Sequence, residues 1–317
     1  MRASGSSEGV PVNRVLVTGA TGFIGRHCLD PLIASGYEVH AVTSRQPVAS
    51  PAAVRWHVAD LHNPGQTTAV IDSVRPTHLL HFAWYVAPGQ WATSPESLEW
   101  VGASVNLLEQ FHAFGGQRAV FAGSCTEYDW RYGYCSEDLT PTVPSTVYGA
   151  SKRALQTLVE AYSSATGLST AWGRIFFLYG PHEHPERLVA SVTRALLSGQ
   201  AARCSHGRQV RDYLFVRDVA EAFVALLQSD YRGCVNIASG EPVTLRTIVE
   251  KIARKLDAEA LLQLGAIPAA PSDTPLVVGN PERLRREVRW QPRFGLDEGL
   301  DATIASCRAQ VLARECV

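Results

Sequence analysis

The regular structure of the chain begins with a short apolar run, Val15-Leu16-Val17, followed by apolar residues at helical spacing, Cys28, Leu29, Leu32 and Ile33. Consecutive apolar positions rich in valine suit a strand buried on both faces, and a spacing of three and four suits one face of a helix. The alternation repeats: strands are predicted at residues 38–42, 54–59, 77–83 and 119–123, with helical stretches at 68–74 and 98–114. Strands alternating with helices build a doubly wound parallel sheet of the α/β class, which binds ligands at the carboxyl ends of its strands. Residues just after each strand are therefore the ones to inspect. Residues 179–185, punctuated by Gly180-Pro181 and Pro185, mark the passage into a smaller C-terminal α/β domain.

After the first strand comes Thr18-Gly19-Ala20-Thr21-Gly22-Phe23-Ile24-Gly25, with three glycines at spacing three. Gly19 permits a sharp turn, Gly22 lets the backbone approach a pyrophosphate, and Gly25 lets the helix pack on the strand. The free amides of the helix start then face the anion. A ligand-free structural turn is the alternative, and the flanking strand and helix weigh against it. The second strand runs into Ser44-Arg45. An acid there would hold both ribose hydroxyls of NAD, whereas a base pairs with the added phosphate of NADP. With no acid and Arg45 present, NADP(H) is favoured and NAD(H) remains possible; a solvated loop arginine is the other reading of Arg45. Asp60, after the third strand, either accepts from the adenine amino group or caps the next helix.

Composition narrows the partners. With 29 basic residues against 30 acidic ones and no basic stripe, nucleic acid and anionic membrane are excluded as expected partners. No apolar run reaches the ~18 residues a membrane helix needs, and the polar N-terminus lacks a signal-peptide core, so a cytoplasmic protein is expected. Seven cysteines without a CxxC pair predict free thiols, and ten scattered histidines predict no metal.

Tyr148 and Lys152 are the second stretch with chemical content. Four residues apart on a helix, they share one face, so an ammonium can sit near the phenol and favour its ionised form. A free tyrosine, with a pKa near ~10, exchanges protons poorly at neutral pH, and a nearby cation makes it a competent acid or base. Lys152 also reaches a ribose hydroxyl. A Tyr and a Lys four apart occur by chance in many helices; the glycine turn is what gives this pair weight.

Taken together, these motifs resemble an extended short-chain dehydrogenase/reductase of the nucleotide-sugar epimerase, dehydratase and ketoreductase superfamily. The resemblance covers nearly the whole length through the Thr18-to-Gly25 turn, Asp60-Leu61, His81-Phe82-Ala83, Ser124, Tyr148 with Lys152, Tyr179-Gly180-Pro181, Val210-Arg211-Asp212-Tyr213 and Val216-Arg217-Asp218-Val219-Ala220. It implies a Rossmann-type sheet, with residues 1–12 as a flexible tail and 13–178 as the NAD(P)-binding domain. Residues 179–317 would be mainly the substrate domain, part of 213–240 returning to the first. It further implies Ser124, Tyr148 and Lys152 as the catalytic set. Gly19, Thr21, Gly22, Phe23, Ile24, Gly25, Ser44, Arg45, Asp60, Leu61, Phe82 and Ala83 join Tyr148 and Lys152 around the cofactor. Arg211 matches an arginine on the substrate diphosphate, with Arg187, Cys125 and Thr126 on the same substrate side. For Ser124 the alternative is a hydroxyl that caps the next turn.

Departures from the family pattern set the expected reaction. Sugar dehydratases carry an acid two residues after the catalytic Ser/Thr, where this chain has Thr126; Glu127 follows, and in extended chain a one-residue shift turns a side chain to the opposite face. Cys125 could serve a two-base epimerase, or be inert filler with nothing placed to lower its pKa. Arg45 tilts the choice toward NADPH-dependent reduction of a keto group, at carbon 4 of a nucleotide-activated deoxysugar. A second pointer is the segment from Leu264-Gly265-Ala266-Ile267 to Trp290-Gln291-Pro292, which resembles the tail of CDP-abequose and CDP-paratose synthases. The arginine those enzymes carry is Ala270 here, and a common superfamily asparagine is Phe177. An epimerase with tightly bound NAD is the alternative, and an NAD(P)-sensing regulator a third reading. The aromatic loop with Trp84, Tyr85 and Trp91 offers rings for stacking on a sugar or base, or packs on the domain below. His182, Glu183 and His184 either touch substrate or form a polar turn between domains. The resemblance implies a homodimer through the helices around 98–114 and 148–165. Nothing in the pattern accounts for Trp130.

Overall fold

The computed structural model describes residues 13–45, 52–269 and 273–315, so the tail at 1–12 and Ala270 lie outside the described residues. In chain order the first half runs β1 (Arg14–Thr18), α1 (Gly25–Ala34), β2 (Glu38–Thr43), β3 (Val54–Val58), α2 (Pro64–Val74), β4 (His78–His81), α3 (Glu96–Ala113) and β5 (Arg118–Ser124). Then follow β6 (Tyr134–Cys135), α4 (Val147–Thr166), β7 (Ser169–Ile175), β8 (Phe177–Tyr179), α5 (Leu188–Leu197), β9 (Ala202–Arg203), β10 (Val210–Phe215) and α6 (Val216–Gln228). The last stretch is β11 (Gly233–Ile237), β12 (Pro242–Thr244), α7 (Leu245–Lys255), β13 (Leu262–Gln263), β14 (Leu276–Gly279), α8 (Glu282–Arg286) and α9 (Leu296–Glu315).

Seven parallel strands form the main sheet in the order β11-β7-β5-β4-β1-β2-β3. Both faces are covered, which is why β1 reads as an unbroken apolar run: Val15 and Val17 pack with Cys28, Leu29 and Leu32 of α1 and Phe223 of α6. Leu16 faces the other way, into the layer with Ile71 of α2, Leu107 and Phe111 of α3 and Leu155 of α4. The strand order reverses beside β1, with β4 on one side and β2 on the other, so the carboxyl ends of β1 and β4 border the cleft expected of such a sheet. Among the described residues no helix is long and apolar enough to cross a membrane, and the cysteines are free thiols.

A two-stranded β13-β9 ribbon and a second sheet, β12-β10-β14-β6 with β8 on β10, complete the strands among the described residues. Two buried carboxylates join it to its surroundings. Asp212 accepts from the Ser239 amide and hydroxyl at 2.8 and 2.6 Å and from the Gly240 and Gly279 amides at 2.9 and 3.2 Å; Asp218 accepts from the Arg293 and Phe294 amides at 3.0 and 3.1 Å. These motif acids are joints of the scaffold. Trp130 gains its account here: its indole N–H donates to the Cys125 carbonyl at 2.7 Å and its ring packs 6.1 Å from Phe177, which pins the turn after β5 to the second sheet.

Candidate active site

The glycine turn is closed so tightly that side chains have no room in it. A Cβ on Gly19, whose φ is +66°, would lie 2.7 Å from the Ala83 amide nitrogen, and one on Gly25 would lie 2.3 Å from the Gly19 carbonyl. Phe82 and Ala83, at the end of β4, are thereby held against the turn, the Phe82 amide donating to the Thr18 carbonyl at 3.2 Å. Thr21 and Gly22 are exposed, Phe23 and Ile24 are half-buried, and no side chain caps the first turn of α1. The Arg26 and His27 amides donate to the Gly22 and Ile24 carbonyls at 3.4 and 2.9 Å, which leaves the amides of Phe23, Ile24 and Gly25 for an anion such as a dinucleotide pyrophosphate. Arg26 carries no signal in the sequence pattern; it folds back over the turn, donating to the Thr21 and Gly22 carbonyls at 2.6 and 3.2 Å. We expect Gly25→Ala to force the turn open and weaken dinucleotide binding at least about tenfold in calorimetry on cofactor-stripped protein.

The outlying cofactor candidates are placed as follows. Ser44 and Arg45 are exposed at the end of β2, Arg45 in a small turn where its amide donates to the Thr43 hydroxyl at 3.2 Å. Asp60 is exposed with its Oδ1 accepting from the His62 amide at 3.0 Å, and Leu61 is buried. The helix-cap alternative for Asp60 is replaced by Asn63, whose side chain accepts from the Gln66 amide at the start of α2.

Ser124, Tyr148 and Lys152 come together at the carboxyl end of β5. Their approach depends on α4 starting close to the turn after β5: a Cβ on Gly149 would sit 2.4 Å from the Thr126 carbonyl, and Thr146 caps the helix by accepting from the Gly149 amide at 3.0 Å. Ser124 does cap its turn, accepting from the Thr126 amide and hydroxyl at 3.2 and 2.9 Å. Both bonds use the oxygen as acceptor, so its own proton is left to donate toward the phenol. Burial pushes the Tyr148 phenol above its ordinary range, and the facing Ser124 hydroxyl pulls it partly back down. Nζ of Lys152 stands 6.0 Å from the Tyr148 ring centroid and donates to the Ala122 carbonyl at 2.8 Å, while burial dominates the free phenol's behaviour. Burial lowers the lysine itself to about 7. Trp91 packs edge-on against the Tyr148 ring at 5.2 Å, so the aromatic loop closes over the pair.

Glu127 departs from the extended-chain expectation. Cys125–Glu127 is a single 3-10 turn, and the Glu127 side chain points inward. Its oxygens accept from the Ser124 amide at 2.8 Å, from Trp172 Nε1 at 3.0 and 3.2 Å, and from Arg174 Nε at 2.7 Å. A carboxylate so engaged has no freedom to take a proton from substrate. Cys125 is buried, and desolvation with nearby acids raises its thiol well above the ordinary value, the condition of an inert cysteine.

The substrate-side candidates divide. Burial raises the Tyr148 and Tyr213 phenols alike, and the charge of exposed Arg187 pulls each a little way back down, whereas Arg211 is buried with its guanidinium 5.3 Å from the Phe177 ring and ion-paired to Asp273. Gln209 donates to the other Asp273 oxygen at 2.6 Å. His182, at φ +70°, lies beside α1, its ring 6.0 Å from that of His27, so it sits by the glycine turn. Tyr85 is half-buried and donates to Gln90 at 2.7 Å within its loop. No pattern in the sequence singles out Asp273, which meets Arg211 from 62 residues away.

A sheet whose strand order reverses beside a glycine cradle, with a serine, tyrosine and lysine at its carboxyl edge, defines a nucleotide-dependent oxidoreductase or epimerase of the extended short-chain type. The chain belongs to the NAD dependent epimerase/dehydratase family, which it matches over residues 15–238. It is similar to UDP-glucose 4-epimerase of Mycolicibacterium smegmatis, 28% identical over 92% of this chain and 97% of that one. It is also similar to UDP-glucuronate 4-epimerase 1 of Arabidopsis thaliana, 26% identical over 90% of this chain and 74% of that one. Among solved structures, the Thermus thermophilus UDP-glucose 4-epimerase in complex with NAD superimposes with a TM-score of 0.82 at 29% identity, covering 93% of this chain and 99% of that one.

Proposed function

We propose that the chain is a 4-epimerase of a UDP-activated hexose that retains NAD as its resident cofactor. The observation that carries this reading is a complete Ser124, Tyr148 and Lys152 set beside the glycine cradle, while Glu127, the carboxylate next to it, is locked in a buried ion pair. Similarity to 4-epimerases along nearly the whole length supports it. The cofactor would be held by the amides after Gly22, by Phe82 and Ala83, and by Tyr148 and Lys152. When bound, it supplies hydride acceptance from carbon 4 and hydride return to the opposite face of that carbon. Burial holds the Tyr148 phenol protonated in the free chain, so it must first give up its proton. The phenolate oxygen would then take the proton of the carbon-4 hydroxyl as the hydride leaves and give it back as the hydride returns, with Ser124 donating to the reacting oxygen and a charged Lys152 beside them steadying the phenolate. Arg187, and Arg211 once released from Asp273, suit the diphosphate. A homodimer through α3 and α4 belongs to the same reading.

Arg45, with no acid beside it, favours a second reading, the NADPH-dependent 4-ketoreductase. Incubation of purified protein with UDP-glucose and no added cofactor separates the two. Formation of UDP-galactose is the expected result. Oxidation of NADPH by a 4-keto-6-deoxy sugar nucleotide, without any isomerised product, would replace the epimerase by the reductase.

A further inference from the structure

The aromatic loop suggests a Trp84 ring stacked on a sugar or base, yet that ring lies against the lysine of the catalytic set. Lys152 Nζ stands 3.6 Å from the Trp84 ring centroid. Two other aromatics hold the ring in place, Trp100 of α3 stacked at 6.3 Å and 27° and Tyr148 of α4 edge-on at 6.3 Å and 89°. The indole Nε1 is buried and donates to no acceptor among the described residues, a cost a phenylalanine would avoid. What an indole offers in return is its face, which attracts a cation more strongly than a phenyl ring does.

The surroundings of Lys152 make that attraction matter. Its side chain is buried, and the Ala122 carbonyl of β5 accepts one of its three N–H bonds. Glu127, on the turn after β5, favours the charge but is shared with Arg174 of β7. His81, at the end of β4, is held neutral with a pKa of about 3 by burial and by Lys152 itself. Tyr148, on the lysine's own helix, is held protonated by burial. Desolvation is therefore the dominant force on Lys152, and it opposes the ammonium.

We propose that Trp84 is a positioning residue whose indole face keeps the buried Lys152 side chain charged and fixed beside Tyr148. The inference rests on reading Tyr148 and Lys152 as the catalytic pair, but its test needs no turnover. The chain has three lysines, Lys152, Lys251 and Lys255, and the latter two lie in exposed ion pairs with Asp297 and Asp301. Labelling the lysine ε-carbons of the full chain with 13C thus gives three signals to follow by NMR from about pH 5 to about pH 10. The Lys152 ε-protons should be displaced upfield by the indole ring in the unmutated protein. Trp84→Leu should lower the Lys152 pKa by about one unit, and Trp84→Phe should recover more than half of that. A change under about 0.2 unit in Trp84→Leu would overturn the proposal. So would a Lys152 signal without upfield displacement in the unmutated protein, a result that depends on no variant folding. Absence of epimerase activity with the titration shift intact would count against the proposed function and leave the role of Trp84 standing.

Discussion

Tyr148→Phe should reduce turnover by about 10²- to 10⁴-fold while leaving the fold in place, because it removes one hydroxyl and keeps the ring. The ring is what Trp84 and Trp91 pack against, edge-on at 6.3 and 5.2 Å, so melting temperature and cofactor affinity should barely move. The hydroxyl carries the proposed proton transfer at the reacting oxygen, where Ser124 supplies a second contact. Steady-state kinetics on the UDP-sugar, with calorimetric NAD+ titration as control, checks this. Near-normal turnover in the variant would remove Tyr148 from the mechanism and leave the site without its acid and base.

Glu127→Ala should destabilise the protein by about 3–5 kcal/mol, the cost of stranding a buried charge when its partner is removed. Both side chains of the Glu127–Arg174 pair are almost inaccessible, at 0% and 3% exposure. The substitution leaves three donors facing a void, Arg174 Nε, Trp172 Nε1 and the Ser124 amide. Arg174 keeps its bond from Nη2 to Gln156 at 2.7 Å and its place 4.4 Å over the Tyr128 ring, but loses the carboxylate that neutralises it. Urea unfolding of Glu127→Ala against the unmutated protein measures the loss, and an unchanged midpoint would show that the pair is dispensable. Because the Ser124 amide loses its acceptor, turnover should fall as well, through a displaced Ser124.

Much of the main sheet is legible in the sequence because each of its strands is local. Val15-Leu16-Val17 must be apolar throughout, since its residues alternate between two covered faces. The candidate site is legible to the same extent: Gly19 to Gly25 and Tyr148 with Lys152 are short-range patterns set by a turn and by one helical repeat. What the pattern hides is non-local or aperiodic. Cys125–Glu127 has no periodicity to separate a 3-10 turn from extended chain, so extended geometry turns Glu127 the wrong way, whereas the structure buries it against Arg174. Arg211 looks identical in sequence whether it faces solvent or Asp273, and Trp84 reaches Lys152 from a distant part of the chain. The two-residue strands β6, β9 and β13 exist only through their partners, β14 for the first and each other for the rest. Short segments of this kind take their conformation from tertiary pairing and leave no pattern to read.

An epimerase of this kind requires that a hydride leave carbon 4 and return to that same carbon within one bound complex. UDP-glucose carrying deuterium at carbon 4, converted by the purified protein in ordinary water, probes that step through mass spectrometry of the product. UDP-galactose with the deuterium retained is the expected outcome. Loss of the label to solvent, or a reduced sugar formed at the expense of added NADPH, would contradict the epimerase mechanism.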